Sequence, residues 1–145
     1  MMDMTALRGQ HEQISLTARQ LAQATSDTAT PQSVAALRWS LARQLIAHLA
    51  LEDRILYPAM QRAPDLAARK TAAQLQSETG ALADRFTRYM ADWSDDRIAR
   101  EWPAFCAETR LILAALAERV DRENRTLYPL ADQQRRPMPP VARAS

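Results

Sequence analysis

The sequence predicts an all-α fold, an up-down-up-down antiparallel four-helix bundle, and three observations carry that prediction. Glycine occurs only twice in 145 residues while Ala, Leu, Arg and Gln recur throughout, so the chain is rich in helix formers and poor in the residues that sheet turns require. Apolar residues return at alternating steps of four and three along four stretches, the spacing of a packing seam between near-parallel helices. The stretches are joined by short connections, which leave successive helices antiparallel. A hydrophobic content of 47% in a chain of this length supplies one core. The bundle is therefore expected over residues 1–131. Residues 132–145, with Pro137, Pro139, Pro140 and three arginines, read as a disordered tail.

Helix 1 is expected from Asp3 or Thr5 to Thr25, followed by a polar loop from Ser26 to Thr30. Helix 2 opens on a start signal, Thr30 as N-cap with Pro31 at the first helical position, and runs to about Gln61 with a kink or break near Pro58. A turn over Arg62 to Asp65 leads into helix 3, Leu66 to Trp93. From Ser94 a short link, irregular or helical, leads to helix 4, Pro103 to Tyr128.

Charge and composition exclude several function classes. Arg135, Arg136 and Arg143 against Asp132 give the last fourteen residues the whole net charge of +2, so residues 1–131 balance at zero. A neutral body without a basic stripe argues against nucleic acid as a partner. The longest apolar run, Leu111 to Ala117, is too short to cross a membrane, and the N-terminus lacks a signal-peptide pattern. The lone Cys106 forms no internal disulfide and reads as a small core residue, which fits a reducing, cytoplasmic setting. The expected partner is an unidentified protein or a second copy of the chain.

The four seams are interrupted. Helix 1 reads Leu7, His11, Ile14, Ala18, Leu21, and helix 2 reads Leu37, Leu41, Leu45, His48, Glu52, Ile55. Helix 3 carries Thr79 between Leu75 and Leu82, and helix 4 carries Arg119 and Glu123 between Leu116 and Leu127. Counted at a rise of ~1.5 Å per residue from the expected helix ends, the six polar positions fall at one height. They define a polar layer inside the bundle. A carboxylate buried there needs a metal, an arginine or a proton beside it.

An internal repeat supports this reading. Glu52-Asp-Arg-Ile-Leu-Tyr57-Pro58 returns as Glu123-Asn-Arg-Thr-Leu-Tyr128-Pro129, so helices 1–2 and 3–4 read as two copies of one hairpin whose second helix ends at Tyr-Pro. Four residues before the glutamate the first copy has His48 and the second has Arg119. Together with Leu-Arg-Gly-Gln-His11, these phrases resemble the hemerythrin-like HHE cation-binding family over about residues 5–131. The resemblance implies a bundle that holds two irons bridged by carboxylates and serves O2 binding, iron or oxygen sensing, or stress responses.

Carried over by that resemblance, His11 and His48 match terminal ligands of one metal, and Glu52 and Glu123 match the bridging carboxylates. Thr79 and Arg119 stand where the second metal's histidines belong. Neither is a good ligand, because a guanidinium is always charged and has no free lone pair. The implied function is a non-enzymatic protein binding one iron or another first-row divalent metal, with Arg119 pairing with the bridging glutamates in place of the lost cation. The alternative is a metal-free Glu/Arg/His network acting as an interaction or signalling module. Its charges close with Arg119 and one protonated histidine against two glutamates, whereas a divalent metal plus Arg119 leaves an excess of one positive charge. Histidine phosphotransfer is a further reading, weakened because a phosphate on His48 would meet Glu52 in the next turn. A di-iron oxidase would need Glu-x-x-His pairs, which the chain lacks. Tyr57 and Tyr128 read as packing at the bundle end, Trp39, Trp93 and Trp102 as packing residues, and Glu78 as a solvated surface glutamate.

Overall fold

The computed structural model describes residues 4–135, with the side chain of Arg135 excepted. The described part is helical throughout, with no strand. Helix α1 spans Met4–Ala24 and α2 spans Ala35–Leu51. A π-helical turn, Glu52–Leu56, carries α2 without a break into α3, Tyr57–Gln61. Helix α4, Leu66–Asp92, is capped by the Asp65 side chain, which accepts from the Ala67 N–H at 3.0 Å. The short α5, Asp95–Arg100, is capped in the same way by Ser94 and leads into α6, Trp102–Arg122. A second π-helical turn, Glu123–Leu127, joins α6 to α7, Tyr128–Arg135. Helix α1 packs on α2 and α6, α4 on α3 and α6. None of the described helices is long and apolar enough to cross a membrane.

Four expectations about elements need correction. Helix α2 starts at Ala35 and not at Pro31, and Thr30 caps nothing. Pro31, Gln32 and Ser33 are exposed, whereas Val34 is 4% exposed and lies in the core. Burying Val34 at the bundle end outweighs one more turn of helix in solvent, despite the favourable start signal. Neither Tyr-Pro pair ends its helix. A proline inside an α-helix collides with the carbonyl four residues back and leaves it without a donor. Here both helices widen by one residue just before the proline, with the Tyr57 N–H donating to the Glu52 carbonyl and the Tyr128 N–H to that of Glu123. Helix α7 therefore continues to Arg135, past the boundary expected at 131; residues 136–145, the rest of the expected tail, lie outside the described residues. Trp39 is 56% exposed and not a packing residue, while Trp93 and Trp102 are buried as expected.

The core is split in two. One cluster includes Ile14, Leu21, Leu41, Phe86, Trp93, Phe105, Cys106 and Leu116; the other includes Leu7, Leu56, Met60, Leu75, Leu127 and Tyr128. His11 lies between Leu7 and Ile14, Thr79 between Leu75 and Phe86, and Glu123 between Leu116 and Leu127, so the polar layer occupies the gap between the clusters. The 4/3 spacing of the seams places it there.

Candidate metal centre

Four side chains from four segments meet in this layer. His11 comes from α1, His48 from the last turn of α2, Glu52 from the first π-helical turn and Glu123 from the second. None is more than 3% exposed, and one ligand atom from each lies within 4.8 Å of the other three. His11 Nε2 stands 2.8 Å from Glu123 Oε1, and His48 Nε2 stands 3.3 Å from Glu52 Oε2 and 3.4 Å from Glu123 Oε1.

Each imidazole is held from behind by an amide oxygen. His11 Nδ1–H donates to Asn124 Oδ1 at 2.9 Å and His48 Nδ1–H to Gln10 Oε1 at 2.8 Å. This turns both Nε2 atoms toward the centre, where each can offer a lone pair to a cation once it carries no proton, the usual support of metal-binding histidines. Gln10 and Asn124 were not singled out from the sequence, although each is the immediate neighbour of a predicted ligand.

Tyr128 is a fifth member and was also missed. Its hydroxyl donates to Glu52 Oε2 at 2.9 Å and lies 3.1 Å from His11 Nε2 and 3.3 Å from Glu123 Oε1. In an α-helix a residue five positions on is turned by about 140° from the first. The i→i+5 turn at Glu123 removes most of that rotation and brings Tyr128 onto the glutamate's face. The signal lay in the repeated Glu-x-x-x-x-Tyr-Pro. Burial and two neighbouring carboxylates push the Tyr128 pKa far upward, so the hydroxyl stays a donor.

In the metal-free cluster, charge is distributed by burial and hydrogen bonding. Burial disfavours a charged His48, but the hydrogen bonds to Glu123 and Glu52 outweigh it and raise its pKa to about 9. Burial raises the Glu52 pKa. It acts in the same sense on Glu123, where the hydrogen bonds from His11 and His48 prevail and hold that carboxyl low. A protonated Glu52 and a His48–Glu123 ion pair sum to zero.

Arg119 departs from its expected role. It does not pair with Glu52 or Glu123; its Nη2 donates to Glu78 Oε2 at 2.9 Å, and Arg122 Nη1 donates to the same oxygen at 2.8 Å. Glu78 is thus the anchor of two arginines and not a free surface glutamate, and these contacts lower its pKa. A long side chain near the surface reaches a solvated partner more cheaply than it enters a closed layer. Thr79 is buried as expected, facing the Tyr57 hydroxyl, though neither of these oxygens completes a hydrogen bond. The layer therefore has a histidine half with Tyr128 and an opposite half of Thr79, Tyr57 and the inner edge of Arg119.

The donor set fits a cation. Glu52 Oε1 and Glu123 Oε2 are both buried and have no hydrogen-bond partner. Two carboxylates with one unsatisfied oxygen each, together with two imidazoles, make a mixed N/O set suited to Fe²⁺, Mn²⁺ or Zn²⁺. With Arg119 engaged by Glu78, a divalent ion balances the two carboxylates without the excess charge expected from the sequence.

Fold and site together define the class. The model of the hemerythrin HHE cation-binding domain matches residues 2–131, and the chain belongs to that family. No curated protein and no solved structure matches it.

Proposed function

We propose that this protein is a mononuclear member of its family, binding one first-row divalent cation through His11, His48, Glu52 and Glu123 and serving a sensing or stress-related role without catalysis. The observation that carries the reading is a pair of buried carboxylates, Glu52 and Glu123, each with one oxygen against an imidazole whose outer nitrogen is already held and the other oxygen orphaned. When bound, the cation would supply the positive charge that these oxygens lack. The other half of the layer offers Thr79 and Arg119 where a second metal would need histidines, which favours one ion over two. Because all four ligands are interior, occupancy is coupled to the stability of the bundle. That coupling is what a sensor uses. Iron is the metal the family resemblance favours, and the buried, unpaired Cys106 fits a cytoplasmic protein.

A second reading has its own support, because the cluster also closes without a metal through the hydrogen bonds of Tyr128 and the histidines. Phosphotransfer has none: both imidazoles are buried and at hydrogen-bonding distance from carboxylates. Elemental analysis of protein purified without chelator decides between the first two. The expected result is about one equivalent of metal per chain, lost in the Glu123→Gln variant. Absence of metal from the unaltered protein near neutral pH, after incubation with Fe²⁺, Mn²⁺ and Zn²⁺ in turn, would leave the metal-free network as the function of the layer.

A further inference from the structure

We propose that a cavity beside the metal-binding cluster is a second ligand site, taking a small amphiphile with an apolar body and one anionic, oxygen-bearing head. The cavity reaches the cluster, since His11, His48 and Glu123 also line it, but the groups assigned to the head, Thr79 and Arg119, are not cluster ligands, and the proposal requires no bound metal.

The cavity has a volume of about 390 Å³ and lies between α2, α4 and α6. That is within the ~300–1,000 Å³ range of small-molecule sites. Its walls are apolar, with Leu45, Leu49, Leu82, Phe86, Met90 and Ile112 among them. Its outer rim carries Trp39 and Ile46, 56% and 69% exposed, two turns apart on α2. Isolated apolar residues on a surface are ordinary, but here two large ones stand at the opening of an apolar chamber and give an apolar chain a way in.

The inner end is polar and unsatisfied. Thr79 lines it, is 6% exposed, and its Oγ1 has no hydrogen-bond partner. Arg119 also lines it. Glu78 occupies only Nη2, and Nε and Nη1 are buried without an acceptor. Dry, unpaired donors on a charged group are costly, and an acceptor carried in by a ligand removes the cost. The sign of the head follows from the same contacts. One carboxylate, Glu78, is shared by two guanidiniums, Arg119 and Arg122, so this group of three side chains carries a net charge of +1. A carboxylate or similar monoanion supplies both the charge and the two acceptor oxygens that a guanidinium edge matches.

Calorimetric titration of the full chain with decanoate, decanol and decyltrimethylammonium tests the assignment. Decanoate is expected to bind at one site at least about tenfold more tightly than decanol, the margin of a charged hydrogen bond, and the cationic amphiphile not at all. Within a series of shorter carboxylates each added methylene should tighten binding about fourfold. Arg119→Gln should reduce decanoate to the affinity of decanol while leaving decanol unchanged, and Glu78 keeps Arg122 as a partner, so circular dichroism should show an intact bundle. Ala83→Phe, which places a ring in the cavity wall, should abolish binding of both. Each titration is run on chelator-treated and on metal-supplemented protein, with equal affinities expected. Failure of decanoate to bind, or equal affinities for all three amphiphiles, would overturn the proposal. Binding that appears only with metal would overturn it too, by making the head a metal ligand, and would leave the cluster reading intact. Light scattering that shows a dimer, undone by Trp39→Ala and indifferent to decanoate, would assign the rim to a second copy of the chain instead.

Discussion

Tyr128 shows how much one hydroxyl can decide. Its hydroxyl donates to Glu52 Oε2 at 2.9 Å, and the other oxygen of Glu52 has no partner among the described residues. Tyr128→Phe keeps the ring, which stacks on His11 at a centroid distance of 5.0 Å, and removes only the donor. Metal-free protein should lose about 1–3 kcal/mol, read from urea unfolding in the presence of chelator. An unchanged midpoint would mean that water takes over the role. Gln10 and Asn124 each hold an imidazole by its outer nitrogen, so in the proposed site they would orient the ligands of the metal. Gln10→Ala and Asn124→Ala should each weaken metal binding by about 10–100-fold, measured in competition with a chromophoric chelator. Equal affinity to the unaltered protein would place the metal on other atoms. Gln10 and Asn124 were legible in the sequence only as neighbours of predicted ligands, and Tyr128 only through the repeated Tyr-Pro. Which way an amide or a phenol points depends on the partner helix, and no spacing along the chain contains that.

Among the elements, the two π-helical turns and the end of α4 matter most. The turns follow from a local conflict between a proline and a continuing helix, and the same conflict sets the faces of Tyr57 and Tyr128. The sequence shows the conflict but not its resolution, because a kink, a stop and a widened turn all relieve it. The C-terminal end of α4 is closed by Arg38 from α2, which is 3% exposed. Its Nη1 donates to the Trp93 carbonyl at 3.0 Å and its Nη2 to that of Tyr89 at 3.4 Å, and its guanidinium lies 5.0 Å from the Tyr89 ring centroid. A cation on the last carbonyls of a helix satisfies orphaned acceptors and complements the helix dipole. Arg38→Ala should destabilise the protein by about 2–3 kcal/mol in urea unfolding, and Arg38→Lys should restore little of it, since an ammonium cannot span two carbonyls and a ring. Full rescue by lysine would show that charge alone closes this end.

At the scale of the whole molecule, the polar layer between two apolar clusters makes metal occupancy a stability term. Free metal at a hundred times its dissociation constant should stabilise the fold by about 2.7 kcal/mol, and excess chelator should remove that increment. Thermal melts with and without chelator measure it directly; coincident melts would favour the metal-free network. The effect has a definite pH sign. Imidazoles and carboxylates bind a cation only without their protons, so affinity, and with it the metal-dependent part of stability, should fall as pH falls below about 9, where His48 takes up its proton, and more steeply below about 7, where Glu52 does.

The all-helical fold and four of the five clustered side chains were readable in the chain, because a repeat of four and three residues fixes which positions face inward and at what height. The tertiary structure alone decided the start of α2, the partner of Arg119, the inward turn of Tyr128 and the exposure of Trp39. Each of these is a choice between competing partners, such as Val34 burial against a helix cap, or Glu78 against the interior carboxylates. Such choices depend on distances between segments far apart in sequence, which exist only once the helices have packed.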